Sequence, residues 1–396
     1  MFLSTALKSF IREHFNDNPD RLLLSASRFP EIDMPWAVTQ ITARHQIQDK
    51  LPSWYAKEDL VYPSRLSAEQ CSSEQTALYK QQLLKGRSFC DLTGGLGVDC
   101  HYFARKASSA TYVERFSNYC EAARHNFDIL GTSHIRVVHA DIREIAGTLK
   151  ADTFYIDPAR RQNDNKRAFA LTDYEPDILQ LKPLLLENTN RLILKISPMA
   201  DLEETLRLLP ETREIHVLSV KNECKELLFI LENTPPFLPA EEVKIFATDL
   251  RPDRKNPVFT FHLKEEKEIP CITTGKPGIY LYEPHAALLK SGAFKLVAER
   301  YGIQKLHRHS HLYTSAALVE DFPGRCFEIE DIWEFSGKWL RQANRLIPQA
   351  NLTTRNFPLS VADIRKRSGI KDGGNLYLFA TTLANERKVL IKTHKK

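Results

Sequence analysis

The chain has 396 residues, 42% of them hydrophobic and 27% charged, with seven scattered cysteines and no C-x-x-C pair. That length allows about two to three domains, and the cysteine pattern suggests neither a zinc ribbon nor a disulfide framework, so a reduced, cytoplasmic setting is expected. No apolar run approaches the ~18 residues of a membrane span. The opening MFLSTALKSFIREHF is interrupted by Lys8, Arg12 and Glu13, which reads as an amphipathic helix rather than a signal peptide. The net charge of +5 is unevenly placed: from residue 270 onward there are 20 Lys and Arg against 11 Asp and Glu, and before it 35 against 39. A basic C-terminal part is suited to a polyanion, nucleic acid being the usual one.

Residues 1 to about 85 read as a helical domain. Phe2, Leu3, Ala6, Leu7, Phe10 and Ile11 recur at i, i+3, i+4, and PDRLLLSASRF and PWAVTQITARHQIQDKL follow as helices with Pro near the start. LPSWYAKEDLVYPSRLS is a connecting stretch. From 86 the period changes. SFCDL, ATYVE, IRVVH, TFYID and RLILKI are short apolar strands separated by helical sequence, and EIHVLSV and ELLFILE then lie too close together for a helical crossover. The expected fold class is α/β, a mainly parallel sheet with an antiparallel strand near one edge.

Beyond the Pro-rich ENTPPFLPAEE, VKIFATDL and VFTFHL read as strands. A second module is expected over 270–323, with strand IYLYE, a helix around 285–300 and strand KLHRHSHLYT. A third is expected over 324–396, with strand RCFEIEDIWEF, helix GKWLRQANRL, strand ANLTTRN, helix SVADIRKRS and strands NLYLFATTL and KVLIKT. Both are small α+β modules, and 86–269 forms the central domain.

The glycine-rich turn FCDLTGGLGVD raises the question of its ligand. Thr93, Gly94, Gly95 and Gly97 follow the first strand, but Cys100 stands where a dinucleotide fingerprint wants its third glycine. Asp91 and Asp99 flank the loop, and two carboxylates repel a pyrophosphate. S-adenosylmethionine carries no phosphate and presents an ammonium and a sulfonium, so an acid at Asp91 suits it. Glu114 ends the second strand, where a carboxylate accepts from ribose hydroxyls. Asp141 follows the third, placed for an adenine amino group, with Ile142 against the ring.

Together DLTGGLGVD, VER, HADI and YIDPAR resemble motifs of the class I S-adenosylmethionine-dependent methyltransferases. Over most of the chain the sequence is similar to a bacterial group that adds a ferredoxin-like segment and a C-terminal THUMP-like domain. The latter resemblance rests on NLTTRNFPLSVADIRKRSGIKDGGNLYLFATTL, residues 351–383. It implies contact with RNA. Ser72, Ser73 and Glu74 resemble, without its proline, a helix start that closes over the cofactor in related RNA-modifying enzymes; the alternative is a plain helix cap with Ser72 and Gln75 at capping-box spacing.

In this family the end of the fourth strand faces the transferable methyl group, and amino-group methyltransferases place [Asp/Asn]-Pro-Pro-aromatic there. Asp157 and Pro158 match, while Ala159 and Arg160 replace the second proline and the aromatic. Arg160 can stack or clamp a phosphate, or pair with a nearby acid. Arg161 and Lys166 add charge to the same loop. Lys195, ending the fifth strand, is either a substrate contact or an edge lysine. His307, His309 and His311 would share a face of a strand, but without a carboxylate or thiolate partner no metal site is expected. Arg355, Arg365, Lys366, Arg367 and Lys371 are a phosphate-tracking set or a solvated face.

The expected function is methylation of an RNA base, with Asp157, Pro158 and Arg160 at the reaction, no metal and no membrane partner. The alternatives are a protein or small-molecule methyltransferase and a catalytically silent RNA-binding module.

Overall fold

The computed structural model describes residues 3–160, 171–252 and 256–396. They form two compact units, one of residues 1–214 with 227–238 and the other of 215–226 with 239–396.

The first unit opens with α1 (Thr5–Glu13), α2 (Pro19–Leu24), α3 (Met34–Ile47), α4 (Pro52–Tyr55), α5 (Arg65–Gln70) and α6 (Glu74–Lys80). Ser4, Asn18, Asp33, Ser64 and Ser73 cap five of these, each accepting from the backbone N–H three residues on. The periodic residues Leu7, Phe10 and Ile11 pack with Met34, Ala37, Val38 and Ile41. These helices share a compact unit with the sheet that follows. The stretch 51–67, expected to be a plain connection, already contains α4 and the start of α5.

The sheet is built from β1 (Ser88–Asp91), β2 (Ser109–Glu114), β3 (Ile135–His139), β4 (Ala151–Ile156), β7 (Thr189–Ile196) and β9 (Glu223–Leu231), with α7 (Val98–Ala104), α8 (Ser117–Ile129), α9 (Ile142–Ile145), α10 (Ile178–Glu187) and α11 (Leu202–Leu208) between strands. A two-residue ladder joins β5 (Ala159–Arg160) to β6 (Tyr174–Glu175), and β8 (Thr212–Val220) precedes β9. Strands lie in the order β9-β7-β4-β1-β2-β3. The strands β7, β4, β1, β2 and β3 are parallel, and β9 runs antiparallel to β7, as the short spacing of the last two apolar runs required. Chain order reverses between β1 and β4, so the crevice for a ligand opens at the carboxyl ends of these strands. Phe89 and Phe103 stack at 4.2 Å in the core beneath it.

The second unit contains β10 (Lys244–Leu250), β11 (Val258–His262), α12 (Leu263–Glu268), β12 (Tyr280–Pro284), α13 (Ala286–Ser291), α14 (Phe294–Arg300), β13 (Gln304–Lys305), β14 (Tyr313–Ser315), β15 (Gly324–Glu334), α15 (Gly337–Leu346), β16 (Asn351–Arg355), α16 (Val361–Ser368), β17 (Leu376–Thr382) and β18 (Lys388–Lys395). A seven-stranded sheet runs β13-β14-β12-β15-β18-β17-β16, antiparallel except for β16 with β17. Two expectations fail here. The helix placed over 285–300 is broken into α13 and α14 at Gly292. The strand placed over 305–314 is a turn across Leu306–Leu312, with His311 at φ 49°, so the three histidines share no strand face.

Among the described residues no helix is long and apolar enough to cross a membrane.

Candidate active site

The carboxyl end of β1 leads into the loop 92–97. Gly97 is left-handed at φ 84°, a conformation that costs glycine nothing and an L side chain more than a kilocalorie. Gly94 lies so close to Tyr112 that an added Cβ would stand 2.1 Å from its ring. Packing on β2 therefore draws the loop against the sheet, and the Tyr112 hydroxyl donates to the Gly95 carbonyl at 2.5 Å.

Four acids converge around this loop. Asp91 is buried at the end of β1, with Oδ1 accepting from the Thr93 N–H at 3.1 Å. Burial pushes its carboxyl well above the usual carboxylate range, and repulsion from Asp99, Asp157 and Glu114 adds to this. Glu114, at the end of β2, accepts from the backbone N–H of Gly95 at 3.0 Å and of Phe116 at 2.9 Å. It thus clamps the loop while each oxygen retains a second lone pair.

Asp99 does not stand free beside the loop. Its Oδ2 accepts from Ser72 at 2.7 Å and Tyr155 at 2.8 Å, and its Oδ1 lies 2.8 Å from Nζ of Lys80. Burial opposes its charge, but Lys80, Lys195 and the Ser72 hydroxyl overcome that and hold the carboxyl below its usual value. Lys80 is fully buried and also donates to Ser72 at 2.6 Å. This knot of Lys80, Asp99, Ser72 and Tyr155 joins α6, α7 and β4. The sequence reading missed Lys80 and Tyr155; the available signal was a lysine in the otherwise apolar ALYK of α6.

Asp141 caps α9, and both oxygens are engaged by Arg143, Nε at 2.9 Å and NH2 at 2.6 Å. The guanidinium holds this carboxyl below its ordinary value. Ile142 beside it is buried. Ser73, not Ser72, caps α6. Glu74 accepts from the Ser53 N–H at 3.0 Å and the Tyr102 hydroxyl at 2.9 Å, tying α6 to α4 and α7.

At the end of β4 the Asp157 N–H donates to Thr93 Oγ1 at 2.7 Å. This bond fixes the Asp157–Pro158 corner against the glycine loop. Lys195 Nζ, from β7, donates to Asp157 Oδ2 at 2.6 Å. Packed surroundings push the Asp157 carboxyl up, and Lys195, with Lys80 behind it, pulls it back. The backbone of Arg160 pairs with Tyr174 in the β5–β6 ladder. Arg161 and Lys166 lie outside the described residues. What the loop, Asp91, Glu114 and Asp157 can do together is accept hydrogen bonds and stabilise positive charge. They are poorly suited to a phosphate.

In the second unit, Arg355 and Arg365 are each engaged by partners within the fold. Arg355 pairs at 2.8 Å with Glu283, which is almost fully buried and also pairs with Arg325. Arg365 binds the carbonyls of Ala350 and Ile370 and the Asp372 carboxylate. Lys366, Arg367 and Lys371 are exposed. His307 is bonded to Asn356 at 2.9 Å, and His311 stacks on Phe294 at 3.6 Å. Among the described residues no group of three or more His, Cys, Asp or Glu side chains is placed to hold a metal ion.

Residues 280–323 match a ferredoxin-like domain family and residues 324–395 a THUMP domain-like family. The whole fold is similar to the crystal structure of a protein from Porphyromonas gingivalis W83 provisionally designated a methyltransferase. Identity is 40%, the match covers 98% of this chain and 97% of that one, and the TM-score is 0.88. Matches also include TrmN from Thermus thermophilus, with 17% identity, 40% and 48% coverage and a TM-score of 0.30. Another is a Listeria monocytogenes protein provisionally designated a class I S-adenosylmethionine-dependent methyltransferase, with 12% identity, 62% and 94% coverage and a TM-score of 0.35. No curated protein matches. The sheet order, the glycine loop with its ring of strand-end acids and the full-length likeness agree: the chain belongs to the class I methyltransferases that carry a ferredoxin-like segment and a C-terminal THUMP-like domain.

Proposed function

We propose that this chain transfers a methyl group from S-adenosylmethionine to RNA, with a base amino group as the acceptor. The observation that carries the cofactor assignment is Asp91, a buried acid facing three further carboxylates across a glycine loop. A cationic ligand relieves that repulsion and a pyrophosphate increases it. When bound, the cofactor supplies an electrophilic methyl group. Thr93, Gly94, Gly95 and Gly97 form the loop against which it would lie, Asp91 meets its positive charge, Glu114 accepts from its ribose, and Ile142 offers an apolar surface to its adenine. Asp141 is already engaged by Arg143, so it serves the adenine amino group through its remaining lone pairs. Asp99, Ser73 and Glu74 support this site from below, by internal bonds.

Asp157 Oδ1 has no partner among the described residues, whereas Oδ2 is held by Lys195. Oδ1 is thus available to accept an N–H of the acceptor amine and aim its lone pair, a positioning effect that can supply much of the rate. RNA as the acceptor is supported by the THUMP-like match and the excess of basic residues beyond 270. The division at residues 85, 269 and 323, with the last module holding the RNA, is part of this reading.

Tritiated methyl transfer from S-adenosylmethionine to total RNA of cells lacking the gene tests it. The expected result is label that RNase removes and that Asp157→Ala abolishes. Cofactor binding without labelled RNA would replace this reading with a protein or small-molecule acceptor.

A further inference from the structure

The THUMP-like segment carries a charged surface that its own stability does not explain. On α15, Lys338, Arg341 and Arg345 recur at i, i+3 and i+7 and so share one face. All three are exposed, while Trp339 and Ala343, on the other side, pack into a core with Ile364 of α16. No acidic residue occurs between 335 and 350. Lys366 and Arg367 add two exposed cations in the last turn of α16. The two helices pack together, and Gly369, closing α16, lies against Asn344 of α15. Among the described residues these five cations form no ion pair and no side-chain hydrogen bond.

A cation in the first turn of a helix works against the macrodipole. Lys338 sits in that turn, and no acid joins it there. Arg355 and Arg365 show the contrast: each is spent on internal acids and carbonyls. Among the described residues, exposed cations outside any ion pair thus remain on α15 and at the end of α16.

We infer that Lys338, Arg341, Arg345, Lys366 and Arg367 form one surface that binds the sugar-phosphate backbone of RNA. This rests on the RNA reading above and adds to it a location and three residues on α15. Such contacts position the nucleic acid without reading its sequence. They release counterions, each neutralised phosphate adding roughly 0.7 to 0.9 to the slope of log affinity against log salt.

The test is equilibrium binding of the full-length protein to bulk tRNA across a salt series. The wild type is compared with Lys338→Glu/Arg341→Glu/Arg345→Glu and with the corresponding triple alanine variant. All three side chains are exposed, so both variants should keep the wild-type melting temperature and S-adenosylmethionine affinity. The expected result for the alanine variant is a slope lower by about two and an affinity at least about tenfold weaker at moderate salt, with a larger loss for the glutamates. Wild-type slope and affinity in both variants would overturn the surface and leave the RNA reading standing. A wild type that shows no salt-dependent binding to tRNA would overturn both, with the cofactor assignment untouched.

Discussion

Replacing Lys195 by Met removes the cation that holds Asp157. Unit charges 2.6 Å apart attract by about 1.6 kcal/mol at the dielectric constant of water and by about 6 kcal/mol at an effective constant of 20. The Asp157 side chain is 36% exposed and Lys195 13%, so solvent screening draws the value toward the lower figure. Losing an attraction of that size raises the Asp157 pKa further. The sign is fixed by the surroundings: burial already pushes this carboxyl up, Asp91 and Asp99 push the same way, and Lys80 is left to oppose them. Transfer that requires ionised Asp157 should therefore keep its alkaline plateau while its acid limb moves to higher pH. Single-turnover methyl transfer from pH 5 to 9 measures this. Carbon-13 NMR titration of aspartate-labelled protein, assigned through Asp157→Asn, reads the same shift without turnover. Lys195→Arg should restore both. An acid limb and an NMR midpoint that stay in place in Lys195→Met would refute the argument.

Lys80→Met leaves Asp99 buried without its cation, a loss of about 3–5 kcal/mol that urea denaturation would show, and Lys80→Met/Asp99→Asn should recover most of it. Because Asp99 is held below its ordinary pKa, the stability it contributes is present above the unfolded value near 4 and is lost as the pH falls through the folded one. Asp91→Asn keeps the acceptor for Thr93 and removes a charge whose burial and neighbours disfavour it. The ligand-free protein should melt a few degrees higher, while isothermal titration shows S-adenosylmethionine binding lost; unchanged binding would remove Asp91 from the cofactor site. Gly97→Ala puts a side chain at φ 84° and within 2.8 Å of Phe127. It should cost about 1–3 kcal/mol and weaken the cofactor more than it weakens the fold, as melting curves with and without ligand would reveal.

The sheet was legible because its strands are apolar runs bounded by turn chemistry: SFCDL contains the whole of β1, and ATYVE and TFYID cover all but the first one or two residues of β2 and β4. Asp91, Glu114 and Asp157 were legible for the same reason, since a strand end is a definite place in an α/β fold. Pairing was less visible. Asp99 is bound by Lys80 and Ser72 across α6 and α7, Asp141 by an arginine two residues on, and Arg355 by an acid 72 residues earlier in the chain. Sequence spacing shows a charge but not the partner that neutralises it. The histidine run failed differently. Its alternation imitates a strand, yet His307 is bonded to its own backbone neighbour at 309 and to Asn356, which bends the segment into a turn.

The compact units also differ from beads on a string. The backbone leaves the first unit at 214, supplies 215–226 to the second, returns for 227–238 and leaves again. Neither unit is a contiguous stretch of gene. A deletion that removes everything after residue 238 still strands a dozen residues of the second unit inside the first, and a cassette starting at 239 lacks them. The second unit therefore cannot be exchanged by a single crossover as an appended tag can. Recombination that preserves both units needs junctions at 214, 226 and 238 together, a constraint that keeps the two units inherited as one piece.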